Sequence, residues 1–388
     1  MCREAESQQR RMVQPCARVI AALMGLALLC GAPGPAWGED RLPPGTRTEL
    51  SGIPWDPASL TGDDAKIIYG EDDRIDVYQE TDPRRLLWAA ATCALVFADD
   101  LTRNADGTYT LSLYEYDYSG YPACPEEPFA NQPTAAYCSG FMVGPDLIAT
   151  AGHCYDASDL EDTRFLFGFV MLSESIPVAI FTEDQIYKGV EVIAHALYGD
   201  YDHAIIRVDR PIVAPKATPF QIRREGVIEI GEQVGIIGHP SGLPMKIAFG
   251  ENTTVRDNAP EVFFTANVDG YQGNSGSPVI NADTGVAEGI LVRGPAPGFV
   301  LQGNCFVSRT FPDDNALQYI EASKTTVFEE YVSDVAFTQR NYAFRATPTR
   351  DALGRPVIAV SWNIPETVDY NRAVLLRAFN DFATEPGE

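Results

Sequence analysis

The stretch Asn267–Val279, "NVDGYQGNSGSPV", sets three glycines and two serines within a few residues, followed by proline and an apolar pair. Such a segment is either a polar surface turn or a loop whose glycines let backbone N–H groups face a cavity while one serine is offered to a substrate. A second stretch, "CSGFMVGPDLIATAGHC" (Cys138–Cys154), bears on that choice. Its "GFMV" and "LIAT" read as two strands joined by a Gly-Pro-Asp turn, a hairpin. The chain then breaks at Ala151-Gly152 and presents His153, with a cysteine on each side of the unit. A Cys138–Cys154 bridge would pin the loop carrying His153 to the start of its own hairpin. Amide hydrolysis needs a nucleophile, a base that removes its proton, and a group that holds the base in the right tautomer.

"TAGHC" together with "GNSGSP" resembles the chymotrypsin-like (trypsin-type) serine endopeptidases, and most of all their secreted bacterial V8-type, or glutamyl endopeptidase-like, branch, over about residues 67–310. The resemblance implies an all-β fold of two six-stranded antiparallel β-barrels with the active site in the cleft between them. It implies Ser275, third residue of "GNSGSP", as nucleophile, and sets the competitor Ser277 on the way into the following strand. Of the four histidines, His153 matches the motif and is the general base. His195 lies in an apolar run and reads as a core histidine, and His239, before Pro240, reads as a strand-end turn. "YDHAIIRVD" (Tyr201–Asp209) is similar to the family's Asp-x-Ala-Leu-Leu strand, which makes Asp202 the orienting carboxylate. Neighbours in an extended strand face opposite ways, so His203 then faces away from His153, and Asp209 reads as surface. The backbone N–H groups of Gly273 and Ser275 would form the oxyanion hole, at about 3–4 kcal/mol of transition-state stabilisation per donor. A side chain at Gly273 would crowd the tetrahedral intermediate.

The chain also departs from the pattern. Animal trypsins carry Asp before the nucleophile, paired with a freshly cleaved N-terminal amine; here that position is Asn274. "DDAKIIYGEDDRIDV" (Asp63–Val77) nonetheless looks like an activation junction at Lys66–Ile67, the alternative being an ordinary first strand. Asp269, six residues before Ser275, stands where trypsins place the acid that receives Lys or Arg, and Gly270, Leu291 and Val292 stand where V8-type enzymes read glutamate. A basic P1 is favoured on these residues, while Arg293 could instead neutralise Asp269 or recognise an acidic P1. No metal-ligand cluster and no cofactor motif is present, and "GEDDRID" reads as a solvated acidic turn rather than a calcium site. Asn252-Thr253-Thr254 is a glycosylation sequon, meaningful in a eukaryotic source.

These residues need elements to carry them. With 388 residues, 45% of them apolar, the chain can bury a substantial core. A net charge of −25, from 54 acidic and 29 basic residues, argues against a nucleic-acid partner and leaves polypeptide substrates as the partners the resemblance implies. Arg10, Arg11 and Arg18 precede the apolar run Val19–Ala32 and the Ala36-Trp37-Gly38 segment, which reads as a signal peptide over residues 1–38 and a secreted or periplasmic location. No other stretch is long and apolar enough to cross a bilayer. Residues 39–66 read as a flexible leader or pro-segment. Cleavage of the signal would leave Cys93, Cys124, Cys138, Cys154 and Cys305, with Cys93 as the buried free thiol and Cys124–Cys305 as a second pairing. From Ile67 onward, short β-type runs recur between turn residues, including Thr108–Tyr116, Phe165–Leu172, Val190–His195, Gln233–Gly238 and Val262–Val268. Beyond residue 310 the spacing changes: Ala316–Val332 and Asn371–Ala383 look helical, so residues 311–388 read as a helical or irregular extension of unknown role. Two rival readings share the scaffold, an HtrA-like periplasmic protease without a PDZ domain and a non-catalytic homologue that binds partners. Oligomeric state is not legible.

Overall fold

A computed structural model describes residues 67–295, 298–314 and 319–333, together with the backbone of two further strands. The signal, the leader and the helix expected at Asn371–Ala383 lie outside the described residues. The chain divides into two compact units. One contains the strands Arg345–Arg350 and Pro356–Ser361, which pair as an antiparallel hairpin. The other, Trp55–Val335 with a later segment, holds all the remaining described elements.

Alternating and fully apolar runs close the first barrel. Its six strands are, in order around it, Thr163–Phe167, Ile186–Tyr198, Tyr201–Val208, Leu147–Thr150, Cys138–Gly144 and Thr92–Phe97. The "GFMV…LIAT" hairpin forms as read, with Phe141 opposite Ala149 and Met142 opposite Ile148. Closure removes sheet edges, so each of these strands has a hydrogen-bonded neighbour on both sides. The single described α-helix, Pro83–Ala90, leads into the strand Thr92–Phe97; the Asp82 carboxylate caps it by accepting from the Arg84 N–H, and Pro83 occupies the first turn, where no N–H is needed.

The second barrel differs from the six-stranded expectation. It is an eight-stranded sheet, curled but not closed, in the order Val255–Asp257, Phe263–Ala266, Ile320–Lys324, Ala287–Arg293, Pro278–Asn281, Val234–Gly238, Lys246–Ala248 and Arg74–Asp76. The last strand comes from the acidic "EDDRID" turn region. The fold is thus mostly β and of the chymotrypsin-like double-barrel type. Phe264, Val279, Leu291 and Ile320 fill the second core, and a larger apolar cluster joins Phe141, Phe165 and Ile205 of the first barrel to Ile237, Ile280 and Ile290 of the second. Sharing a core fixes how the two halves meet.

The helix expected over Ala316–Val332 is not formed. Ile320–Lys324 is a strand between Phe263–Ala266 and Ala287–Arg293, followed by 3₁₀ turns at Thr325–Val327 and Glu329–Tyr331. Ile320 and Ala322 alternate into the second core, a period of two that paired neighbours on both sides enforce over any helical spacing. The double barrel therefore runs past the boundary expected at residue 310. Ending the chain after Thr310 should accordingly abolish cooperative thermal unfolding, because two strands lose their shared partner. An unchanged transition in that truncation would show that the sheet does not depend on Ile320–Lys324.

Candidate active site

His153 sits where the first barrel's hairpin ends, in a 3₁₀ turn Gly152–Cys154. Gly152 makes that turn possible by close approach: a Cβ there would lie 2.4 Å from Ala196 O and 3.0 Å from His203 N. The tight fit carries His153 onto Asp202 of the adjacent strand. The His153 Nδ1–H donates to Asp202 Oδ2 at 2.8 Å, and the His153 backbone N–H donates to Asp202 Oδ1 at 3.1 Å. With Nδ1 bound to the carboxylate, Nε2 is the nitrogen left to act as a base. The Asp202 side chain is only 3% exposed, and the His153 side chain is 26% exposed, so the imidazole reaches solvent while the carboxylate does not.

Burial alone would raise the Asp202 carboxyl. The His153 hydrogen bond and charge, with the backbone N–H groups of His153 and Gly152, outweigh it and hold the group below its usual range. The other histidines are otherwise engaged. His203 is buried against Phe328 and pushed down to about 4 by desolvation; His239 is buried, stacked on Phe169, and pushed down to about 3 by the same cause. His195 is not the core residue expected: its position is exposed, and its Nε2–H donates to Gly152 O at 2.9 Å, bracing the His153 turn.

Ser275 lies on the second barrel's loop, and that loop abuts the His153 turn: Cys154 Sγ is 3.7 Å from Ser275 O. Ser139, one residue after Cys138, ties the two loops. Its N–H donates to Ser275 O at 2.8 Å, and its hydroxyl donates to Gly273 O at 2.8 Å while accepting the His239 N–H at 2.9 Å. No motif marks Ser139 in the sequence, where it is the lone polar residue of an otherwise apolar run. Ser277 is fully buried beside Asn274 Oδ1, on the way into its strand.

The peptide between Gln272 and Gly273 is oriented from below. Ser241 N–H donates to Gln272 O, and because N–H and C=O of a trans peptide point oppositely, the Gly273 N–H faces away from the 239–242 turn. Gly273 has φ +90°, and a Cβ there would lie 2.5 Å from His239 O and 2.9 Å from Gly242 N. The physical need for glycine is therefore the left-handed backbone and contact with that turn, rather than room for an intermediate.

Both disulfides anticipated from the cysteines are present, Cys138–Cys154 and Cys124–Cys305, and Cys93 is free and buried. The first encloses a short loop, which corresponds to about 3 kcal/mol in the chain-entropy account. Among the described residues, the one His/Cys group close enough to share a metal is Cys138, His153 and Cys154, whose sulfurs are tied in that bridge.

The residues expected to read P1 are not brought together. Asp269 is 2% exposed, and its two oxygens accept from Tyr69 N–H and Asp73 N–H, both at 2.8 Å. Arg293 instead pairs with Glu321 at 2.8 Å and donates to Asp200 O at 3.3 Å. The carboxylate assigned to a basic P1 is consumed by the chain's own backbone, and the proposed Asp269–Arg293 pair does not form.

Residues 138–290 match the family described as the trypsin-like peptidase domain. Among curated proteins none matches. Among solved structures, that of a Glu endopeptidase in complex with MPD aligns with 71% of this chain and 100% of its own length, at 15% identity and a TM-score of 0.41.

Because the folded Asp202 carboxyl lies below its ordinary value, its stabilisation is complete above the unfolded carboxylate range and is lost as pH falls through the depressed value. Asp202→Asn should remove that part of the acid limb of the stability curve. Superimposable curves for variant and wild type, measured by denaturant unfolding across acid pH, would refute the assignment.

Proposed function

We propose that this chain, which carries a trypsin-like peptidase domain, is a secreted or periplasmic serine endopeptidase working through an acyl-enzyme on Ser275. The observation that supports it most is the His153–Asp202 hydrogen bond at 2.8 Å beside the loop of Ser275. In this reading Ser275 Oγ attacks the scissile carbonyl and passes its proton to His153 Nε2. Asp202 holds the tautomer and stabilises the imidazolium, which then protonates the leaving amine. The Gly273 and Ser275 N–H groups receive the charge on the carbonyl oxygen, and water repeats the sequence to release the acid. The location rests on the arginine-flanked apolar run before Gly38. Ser275→Ala should abolish both peptide turnover and fluorophosphonate labelling while leaving thermal unfolding unchanged. Labelling that persists in that variant removes Ser275 from the role.

The P1 side chain is uncharged in this reading. Asp269 and Arg293 are both engaged, and a Cβ placed on Gly270 would meet Ile320 at 3.2 Å and both Asn274 Nδ2 and Leu291 at 3.4 Å, uncharged surroundings that leave a charged group without an ionic partner. A peptide-library digest should show cleavage after uncharged residues. Enrichment of Lys and Arg, or of Glu, before the cut would overturn this.

A further inference from the structure

The loop carrying Gly273 and Ser275 starts at Asp269, and its first three residues are held by the segment Ile67–Asp76. Asp269 accepts the Tyr69 and Asp73 N–H groups, one on each carboxylate oxygen. Gly270 returns a bond, its N–H donating to Ile67 O at 3.2 Å. Tyr271 lies under the Arg74 guanidinium, 4.7 Å from its ring centroid. Arg74 itself is buried and oriented by Asp72, which accepts from its Nε at 2.8 Å and from its other guanidinium nitrogen at 2.7 Å.

The segment is as firmly attached at its other side. Ile67 and Tyr69 belong to the second core, and Ile68 and Gly70 donate to Arg309 O and Phe311 O at 3.1 and 2.7 Å. Asp76 pairs with buried Lys246 at 2.8 Å, and Gln132 from the preceding long loop bonds to both. The loop from Asp269 to Gly276 is held from Gln272 onward by Ser241, Ser139 and Leu291, which bond Gln272 O, Gly273 O, Ser275 O and the Gly276 N–H. It contains three glycines, Gln272 is exposed, and Asp269 and Tyr271 are the only buried side chains before Gly273. Asp269 is spent on the segment, and Tyr271 packs on both Arg74 of the segment and Phe299, with whose ring it stacks at 4.7 Å between centroids.

We propose that Ile67–Asp76 is an internal activation element, whose docking through Asp269, Gly270 and Tyr271 sets the loop that offers Gly273 N–H and Ser275, with Asp269 and Arg74 as positioning residues. The proposal rests on the peptidase reading above. If the segment leaves, a buried carboxylate loses both donors and must either move to water or drag its loop with it. Asn274 stands where an acid would answer a charged amine, and the contacts here use the Ile67 carbonyl and internal N–H groups. None of them requires a free amine at Ile67. The switch is docking of the segment.

The test uses Asp269→Asn, which loses one acceptor for the two N–H groups, and Arg74→Met, which keeps bulk on Tyr271 without the guanidinium. In the full chain, hydrogen exchange of residues 67–76, the labelling rate of Ser275 by an uncharged fluorophosphonate, and the P1 profile on a peptide library are measured. Both variants should speed exchange in the segment and slow labelling about 100-fold, the scale of one lost oxyanion donor, with the P1 profile unchanged. Should Asp269→Asn fail to fold, Arg74→Met carries the test. Wild-type labelling rates in variants whose segment exchanges freely would overturn the proposal. So would an Asp269→Asn chain that labels normally but stops cutting after Lys and Arg, which returns Asp269 to the pocket. A wild type that never labels while its segment is protected sinks the peptidase reading, and this proposal with it.

Discussion

Everything at this site depends on one residue of the first barrel reaching across to the second. Ser139 donates its backbone N–H to Ser275 O and its hydroxyl to Gly273 O, and takes the His239 N–H in return. Ser323 of the second barrel adds a polar crossing, its hydroxyl donating to Asp202 O at 2.8 Å, whereas the shared core is apolar contact, which is strong but non-directional. Hydrogen bonds in a buried seam fix angle as well as distance, and each one left unmade costs the desolvation of its groups. Ser139 thus converts a shared core into a register between the hairpin of His153 and the loop of Ser275. The Cys138–Cys154 bridge supports the same hairpin at its two ends.

The candidate site residues were legible because their motifs carry backbone requirements with them. Gly152 before His153 and Gly273 before Ser275 are glycines for steric reasons that geometry bears out, and at Gly273 the reason is contact with the 239–242 turn rather than room for an intermediate. The first barrel was legible for a similar reason: its strands carry short apolar runs such as "GFMV", "LIA" and "AII" separated by turn residues. What was not legible depends on contacts distant in sequence. The strand Ile320–Lys324 carries a pattern that fits helix or strand until both its neighbours are known. The role of Ser139 and the bracing of Gly152 by His195 are single bonds between polar atoms, and no periodicity announces them. The spacing of Asp269 from Ser275 pointed to a pocket, yet spacing does not say which way a carboxylate turns.

Asp202 and Asp269 make that last point in physical terms. Both are almost fully buried acids, and burial pushes both upward. Asp202 faces an imidazole that can take a positive charge, together with two backbone N–H groups, and is held below its usual range. Asp269 faces two backbone N–H groups as well, but its charged neighbours are Asp72 and Asp73, and it is held well above. Equal numbers of backbone donors therefore leave opposite outcomes: burial dominates at Asp269, with Asp72 and Asp73 adding to it, whereas the His153 bond and charge outweigh burial at Asp202. A carboxylate that stays ionised beside a base can stabilise the cation formed when a proton moves. A carboxylate that is costly to ionise and fully satisfied by main-chain N–H has no such service to offer a base or a substrate cation. Its bonds are worth most as attachment, so the same residue type orients an imidazole in one place and holds the chain in the other.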